Sequence, residues 1–341
     1  MTRDVIVVGA GVAGLQCART LARAGASVSV LDRARVVGGR CATRRFDGQP
    51  VDFGVLFLHG HQTGFLAEID RVDAEQIVGW PMRVHDSGTP CQPHAFAPYE
   101  RRVALDRGMR AFAEHLAQGL DLRLQTEVTA LELDGDALGL RLESGETLSA
   151  PTVVLALPLE QCRALLAQLP DQEITRSADA LLAMFSSLPC LTLIAGYPID
   201  VPAPRWDLSY PSDGGALMLI SNETTKRSEP RHLTLVLQAR PGWSRQHLDQ
   251  TPERWGRALL DEAAARLGPW AATPSFTHPH RWRLGRIDQS TELASPLLLE
   301  LGSDVRLGLA GDIFAAGGGV QAAWLSGERL AGRIIGRSDH D

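Results

Sequence analysis

Near its start the chain carries an apolar run, Asp4-Val5-Ile6-Val7-Val8, that stops at glycine. An unbroken β-branched run predicts a short strand buried on both faces. From Val12 to Ala24 the period changes. Leu15, Ala18, Leu21 and Ala22 recur at helical spacing, and Gly25 supplies a residue able to enter the left-handed region at the helix end. Ser27 to Leu31 predicts a second strand, closed by Asp32. Strand, glycine turn, helix, strand is the opening of a parallel α/β unit.

Further along, Phe53 to Pro98 mixes His, Pro and Gly with short apolar runs and reads as irregular. Asp106-Arg107-Gly108-Met109 leads into an amphipathic helix ending near Ala117, and Leu122 to Glu127 predicts a strand. Val128 to Leu133, Leu138 to Leu142 and Thr147-Leu148 predict a meander, with turns at Asp134-Gly135-Asp136 and Ser144-Gly145-Glu146. Val153 to Leu157 is a buried strand before Pro158, and Leu191 to Ala195 another. Thr251-Pro252-Glu253 predicts a capped helix start, and Gly268 its end after Leu267. Val305 to Leu309 predicts a final strand, followed by a helix from Val320 to about Ile335.

Composition narrows the classes. With 341 residues, 44% of them hydrophobic, the chain can bury a sizeable core as one large or two medium domains. A net charge of −6 without a basic stripe argues against a nucleic-acid partner. Lys226 is the only lysine; it is a candidate for an anionic group or an ordinary surface cation. Cys17, Cys41, Cys91, Cys162 and Cys190 are scattered and odd in number, against a zinc site or a disulfide framework. Ala180 to Ile199 lacks charge over a length that could span a bilayer, but Pro189 and its serines interrupt it, so no membrane span is expected. The expectation is a soluble cytoplasmic protein with no metal.

The chemistry concentrates in glycines. Gly9-Ala10-Gly11-Val12-Ala13-Gly14 lies between strand and helix, the context of a dinucleotide fingerprint. Gly9 allows the tight turn, Gly11 lets backbone approach a pyrophosphate, and Gly14 lets helix and strand pack. The helix N-terminus offers free N–H groups to phosphate. Asp32, 18 residues past Gly14, is placed for ribose hydroxyls, with Arg33 beside it. Then come Val36-Val37-Gly38-Gly39-Arg40 and, some 300 residues after the fingerprint, Gly311-Asp312 and Gly317-Gly318-Gly319 before Val320 and Gln321.

These segments together resemble the flavin amine oxidase superfamily, in which a Gly-Gly-Arg turn supports FAD phosphates. The resemblance covers nearly the whole length. A narrower similarity, to bacterial renalase-type proteins, rests on Trp243-Ser244-Arg245-Gln246-His247-Leu248-Asp249 with Thr251-Pro252-Glu253, on His280-Arg281-Trp282-Arg283 and on Ala323-Trp324-Leu325-Ser326-Gly327. It implies an α/β, two-dinucleotide-binding FAD domain of Rossmann type (1–55, 99–158 and 286–341), with an interleaved α+β substrate domain (56–98 and 159–285). It assigns the pyrophosphate to Gly9–Gly14, including Val12 and Ala13, and to Gly39 and Arg40. Asp32, Arg33 and Val128 join the cofactor side. Gly311, Asp312, Gly319, Val320 and Gln321 fall to the ribityl chain and pyrimidine, where a helix N-terminus favours the charge of a reduced flavin. No Cys or His lies between Leu309 and Trp324, so the expected FAD is non-covalent. The implied reaction passes a hydride from a small molecule to flavin N5, with O2 as an acceptor giving peroxide.

The chain departs from the renalase pattern at Asn222-Glu223-Thr224-Thr225-Lys226, at Gln321 and after Gly54, where Val55-Leu56-Phe57-Leu58-His59-Gly60-His61 is nearer to amine oxidases. Candidate substrate-side residues are His59 and His61, able to bind or shuttle a proton, and His280 and Trp282, which alternation puts on one strand face with Arg281 and Arg283 on the other. Asn222, Trp206 and Tyr210 are further candidates. Three functions stand: oxidation of dihydronicotinamide isomers, an amine oxidase or desaturase, and flavin binding without turnover. The low count of aromatic residues, 3 Tyr and 9 Phe, argues against an aromatic cage for an amine.

Overall fold

The structure, a computed structural model, describes residues 4–85, 88, 90, 93–288 and 292–336. Cys91 lies outside the described residues. The helices are α1 (Val12–Arg23), α2 (Thr63–Asp70), α3 (Arg110–Ala117), α4 (Leu159–Leu166), α5 (Glu173–Leu182), α6 (Pro241–His247), α7 (Pro252–Leu267) and α8 (Gly319–Ile334).

The opening apolar run becomes the strand Val5–Val8, buried at every position. It lies inside a six-stranded sheet ordered Leu297–Glu300, Arg306–Leu309, Thr152–Leu155, Val5–Val8, Val28–Leu31, Asp121–Arg123. The last five are parallel and Leu297–Glu300 is an antiparallel edge. α1 and α8 cover one face. They approach closely because Gly327 has no Cβ; one placed there would stand 2.2 Å from the Ala13 carbonyl oxygen. On the other side, α4 and α5 pack with the meander Val128–Asp134, Ala137–Leu142, Thr147–Ala150.

A second six-stranded sheet runs Phe276–Ile287, Ser187–Tyr197, Leu233–Ala239, Leu217–Asn222, Leu208–Ser209, Val84–His85. Strand alternation divides its side chains. Leu191, Leu193, Leu235 and Leu237 pack with Trp255 and Leu259 of α7. Cys190, Ile194 and Val236 point the other way, into a core shared with Phe53, Phe57, Trp80 and the dinucleotide unit. The two sheets are thereby locked around the stretch that follows Asp52.

Several elements differ from expectation. The stretch 53–98 is ordered rather than irregular: it contains α2, and Leu58–Gly60 and Gln76–Val78 both pair with Arg101–Leu105. The pattern of α2 is eight residues long, with only Phe65, Ile69 and Glu68 buried, too short to stand out. The uncharged run 180–199 divides between the end of α5 and the strand Ser187–Tyr197. The strand expected over 122–127 ends at Arg123, and Gln125 turns with φ +53°. Thr251 precedes α7 but its side chain makes no capping bond; Pro252 and Glu253 carry that start.

Lys226 is neither on the surface nor free. Its ammonium is fully buried, 2.7 Å from Glu223 Oε1, 3.3 Å from Asp52 Oδ2 and 2.6 Å from the Leu56 carbonyl, and 4.3 Å above the Trp80 ring. Arg227 completes the cluster, 3.4 Å from Asp52 and 3.5 Å from Glu223. Two acids and two cations balance, and the acids also accept from Thr43, Ser221 and the Met109 and Asp52 amides. Such saturation is what makes buried charge tolerable. Glu223 is the internal counterion of Lys226.

Candidate functional site

The three fingerprint glycines differ in what surrounds them. Gly9 has φ +113°, and a Cβ there would stand 2.4 Å from the Ala156 carbonyl oxygen. A Cβ on Gly14 would stand 2.0 Å from the Gly9 oxygen. Both are required by the protein's own packing. At Gly11 a Cβ would meet no atom within 4 Å, and φ is an ordinary −78°. Protein packing therefore gives no reason for glycine at 11; an approaching phosphate does. Gly11 is also the N-cap of α1, which has no acid in its first turn and no side-chain cap, so its free N–H groups suit an anion. Val12 and Ala13 open that helix, both buried. These residues fit the pyrophosphate of a dinucleotide.

Asp32 closes the strand Val28–Leu31 and binds its own surroundings: Oδ2 accepts from the Ala10 amide at 2.6 Å and Oδ1 from Ala34 at 2.7 Å. A carboxylate has further lone pairs, so ribose hydroxyls remain within its capacity. Arg33 is exposed, 3.6 Å from Glu127. The segment leading to Val128 lies alongside, since the Thr126 amide donates to the Asp32 carbonyl at 2.9 Å. Gly39, at φ +53°, sets its Cβ position 3.5 Å from the Gly11 Cα. The second turn thus packs on the first.

Arg40 then reaches the other end of the chain. Its two terminal nitrogens donate to the two oxygens of Asp312, each at 2.8 Å, and Nη1 lies 3.5 Å from the Gly285 carbonyl. The Asp312 charge raises the guanidinium pKa still further. A crevice of about 20 Å³ runs here, lined by Leu157, Pro158, Leu284 and Phe314 besides the pair itself. That is room for about one water. Gly311 is tied to α8 by its amide, which donates to Ser326 Oγ at 2.9 Å. Gly317, Gly318 and Gly319 have φ of +87°, +58° and +70°, a run that side chains would strain. A separate cavity of about 320 Å³, between α1, α2 and α8, is lined by neither glycine segment.

Val320 is buried in the first turn of α8. Gln321 faces inward to protein: Oε1 accepts from the His61 and Gln62 amides at 2.8 and 2.9 Å. It pins the loop entering α2. A glutamate would accept the same two bonds, so this departure leaves the fold intact.

On the substrate side, His280 and Trp282 do share a face. The Trp282 indole N–H donates to the Phe53 carbonyl at 3.1 Å, its ring stacks on Phe53 at 5.6 Å, and His280 packs edge-on at 4.2 Å. Gly54 permits this closeness, because a Cβ would stand 2.1 Å from the Arg40 oxygen and 3.0 Å from the Trp282 ring. Gln238 donates to the same stretch, at Phe53 and Gly54. Burial first, then His278 and Arg44, lower the His280 pKa to about 4. Arg281 and Arg283 face away, toward Gln250 and Asp249.

His59 and His61 are brought together elsewhere. Both Nδ1 atoms address Glu100, at 2.9 and 2.5 Å. His59 is buried, which lowers its pKa, and its Nε2 has no partner; the His61 side chain is 44% exposed. Phe57, Trp80 and Phe96 gather beside His59, with Phe57 centroids 5.8 and 6.3 Å from the other two. A low aromatic count has not kept these rings apart. Asn222 is fully engaged by the fold, accepting from Thr224 and donating to Pro204 and Trp206. Trp206 stacks on His85, and Tyr210 meets Phe96.

The comparisons with known proteins agree with this geometry. The model of the flavin containing amine oxidoreductase family matches residues 92–335, and that of an NAD(P)-binding Rossmann-like domain matches 7–69. The chain belongs to the flavin containing amine oxidoreductase family. Putrescine oxidase of Kocuria rosea is 45% identical over 73 residues, 21% of this chain and 15% of that enzyme. The chain thus aligns with only a small part of the curated relative's length. A putrescine oxidase structure bound to putrescine superposes with TM-score 0.73 at 16% identity, covering 99% of this chain and 100% of the other. Cyclohexylamine oxidase of Brevibacterium oxydans IH-35A gives 0.74 at 16% identity, covering 98% and 99%. These likenesses show the fold, and the family implies a flavin. Among the described residues, no helix is long and apolar enough to cross a membrane and no group of three His, Cys, Asp or Glu could hold a metal.

Sequence reasoning passed over Phe53, Gln238 and Arg286. The signal for Gln238 was an amide in the otherwise mostly apolar strand Leu233–Ala239. Phe53 lies in Val51-Asp52-Phe53-Gly54, a stretch that fits the superfamily, but in isolation it is an ordinary core residue.

Proposed function

We propose that the protein is an FAD-dependent oxidoreductase that takes a hydride from a small molecule in a cleft between the Arg40–Asp312 pair and the Phe53–Trp282 stack, which the Gly54 turn brings beside Arg40. The observation carrying this reading is the Arg40–Asp312 pair, which joins two glycine segments 272 residues apart in one cradle. When bound, FAD supplies the hydride acceptor and electron sink. The chain's part is positioning. Gly11 and α1 would hold the pyrophosphate, Arg40 and Asp312 would hold phosphate and ribityl oxygens, and the N-terminus of α8 would stand at the pyrimidine. Trp282 and Phe53 wall the cleft, and His280, neutral at physiological pH, can accept a hydrogen bond from substrate. The FAD would be held non-covalently, since no Cys or His lies between Leu309 and Trp324.

The family, and relatives named for putrescine and cyclohexylamine, support amine oxidation. A second reading, oxidation of dihydronicotinamide isomers, is favoured by one observation. The six strands of the sheet beside the cleft contain no Asp or Glu, and an ammonium substrate would seek one.

The test is to purify the protein, record the flavin spectrum and mix it anaerobically with putrescine, benzylamine, borohydride-reduced NAD and NADH. Bleaching by amines supports the first reading and bleaching by reduced NAD isomers the second. A bound flavin that nothing bleaches supports binding without turnover, with O2 then no acceptor. A colourless protein that takes up no FAD ends the proposal.

A further inference from the structure

The strand Phe276–Ile287 carries three arginines, and they are not equivalent. Arg281 donates to the Gln250 carbonyl at 2.6 Å, and Arg283 lies 3.4 Å from Asp249. Both are on the side of α6 and α7. Arg286 pairs in register with Leu188, two residues from Cys190, which itself pairs with Trp282. The ladder is irregular between these two pairs, but Arg286 reaches Met218, which packs in one core with Cys190, Phe53 and Trp282, so it stands on the cleft face. Its preceding residue, Gly285, offers the carbonyl that lies beside Arg40.

Arg286 is half-buried, and its guanidinium lies against the Met218 thioether. A thioether is a weak acceptor, and a guanidinium has five donors. Among the described residues no carboxylate lies within ion-pair distance of it, and none exists on the six strands of its sheet. A half-buried guanidinium set beside a thioether keeps donors free, and the planar fork suits a carboxylate or phosphate taken with two bonds.

We infer that Arg286 recognises an oxyanion, a carboxylate or a phosphate group, on the molecule oxidised in the cleft. The inference rests on the reading of that cleft as the substrate side of a flavin site. It makes the substrate anionic at one end, whatever bond is oxidised at the other, and puts purely cationic diamines at a disadvantage.

The test is calorimetric titration of the purified holoprotein with benzoate and with phenyl phosphate, against benzylamine and benzyl alcohol. Flavin absorbance is recorded in parallel. At least one anion should bind the wild type, and which one binds tells carboxylate from phosphate. Arg286→Met should weaken that binding roughly tenfold or more, Arg286→Lys should retain part of it, and Met218→Leu should leave it unchanged. The proposal is overturned if neither anion binds, if Arg286→Met binds as well as wild type, if benzylamine binds more tightly than both anions, or if Arg286→Met loses FAD instead. Should Arg286→Met fail to fold, Arg286→Lys binding as tightly as wild type also overturns it. Calorimetry reads the anion whether or not the protein is yellow. A colourless protein that still binds benzoate through Arg286 therefore sinks only the flavin reading.

Discussion

Arg40 and Asp312 meet through two N···O contacts of 2.8 Å, joining the turn after the first dinucleotide unit to the loop before α8. The Arg40 side chain is 35% exposed and that of Asp312 14%. The pair therefore has more weight than a surface bridge and less than a buried one. It also occupies groups that a bound FAD would use, so protein and cofactor compete for them. Asp312→Asn should lower the stability of the cofactor-free protein by about 1 kcal/mol, read as a lower urea midpoint, while changing FAD affinity less than tenfold. Arg40→Met should lose both stability and more than tenfold in FAD affinity. If Asp312→Asn weakens FAD more than Arg40→Met does, Asp312 rather than Arg40 holds the cofactor.

The fingerprint glycines allow packing and ligand roles to be separated. Gly11 has φ −78° and nothing within 4 Å of its Cβ position. Gly11→Ala should therefore fold with stability within about 0.5 kcal/mol of wild type, or slightly above it. Its FAD affinity should nonetheless fall at least tenfold, because the methyl group fills the phosphate approach. Gly14→Ala puts a methyl 2.0 Å from the Gly9 carbonyl oxygen. It should destabilise by several kcal/mol, the range of overpacked sites. Fluorescence quenching of added FAD and thermal melts of both variants check this. Unchanged FAD binding by Gly11→Ala would remove the cofactor reading of that loop.

The cluster of Asp52, Glu223, Lys226 and Arg227 predicts a different kind of failure. Lys226→Met leaves Glu223 and Asp52 with only Arg227 as a cation. Breaking one member of a buried ion pair costs about 3–5 kcal/mol. Lys226→Met should therefore express poorly or melt early. Lys226→Met combined with Glu223→Gln should recover much of the loss, because the remaining Asp52–Arg227 pair is again neutral. A double variant no more stable than the single one would mean that the lysine acts through its contacts with Trp80 and the Leu56 carbonyl.

What the sequence disclosed follows from range. The fingerprint, the helix through Arg23, the meander and the glycines before α8 are local patterns, and each lies within about two residues of its expected place. Contacts between distant segments leave no such trace. Lys226 looked conspicuous for being the only lysine, yet its partners Asp52 and Leu56 are some 170 residues away. Gln321 looked like a change in the ligand pocket, yet its carbonyl binds the backbone entering α2. Asn222 looked available, yet both ends of its amide are bonded. His280 and Trp282 were readable as a pair because alternation within one strand is local. Their partner Phe53 was not. The absence of acids from the second sheet was countable from the beginning, but only once its six strands were known to be one sheet.

His280 yields a pH dependence with a definite sign. Burial, with His278 and Arg44 adding to it, lowers its pKa from 6.5 to about 4. The unfolded chain therefore takes up a proton below pH 6.5 that the folded chain refuses until pH 4. Stability from this site is complete above pH 6.5 and is lost as pH falls toward 4, at up to about 1.4 kcal/mol per pH unit. Allowing for partial solvent screening, the total is about 2 kcal/mol. His59 and His278 are lowered too and act in the same direction. Urea midpoints of wild type and His280→Gln, measured from pH 7.5 to 4.5, isolate the term, since carboxylate titrations common to both cancel. The variant should lose less stability over that range, and parallel curves would show that His280 exchanges no proton on unfolding. A neutral His280 also means that the rate of flavin reduction has no inflection near pH 6.5 that His280→Gln removes; finding one would place the His280 pKa near its ordinary value and return it to the candidates for a titrating base.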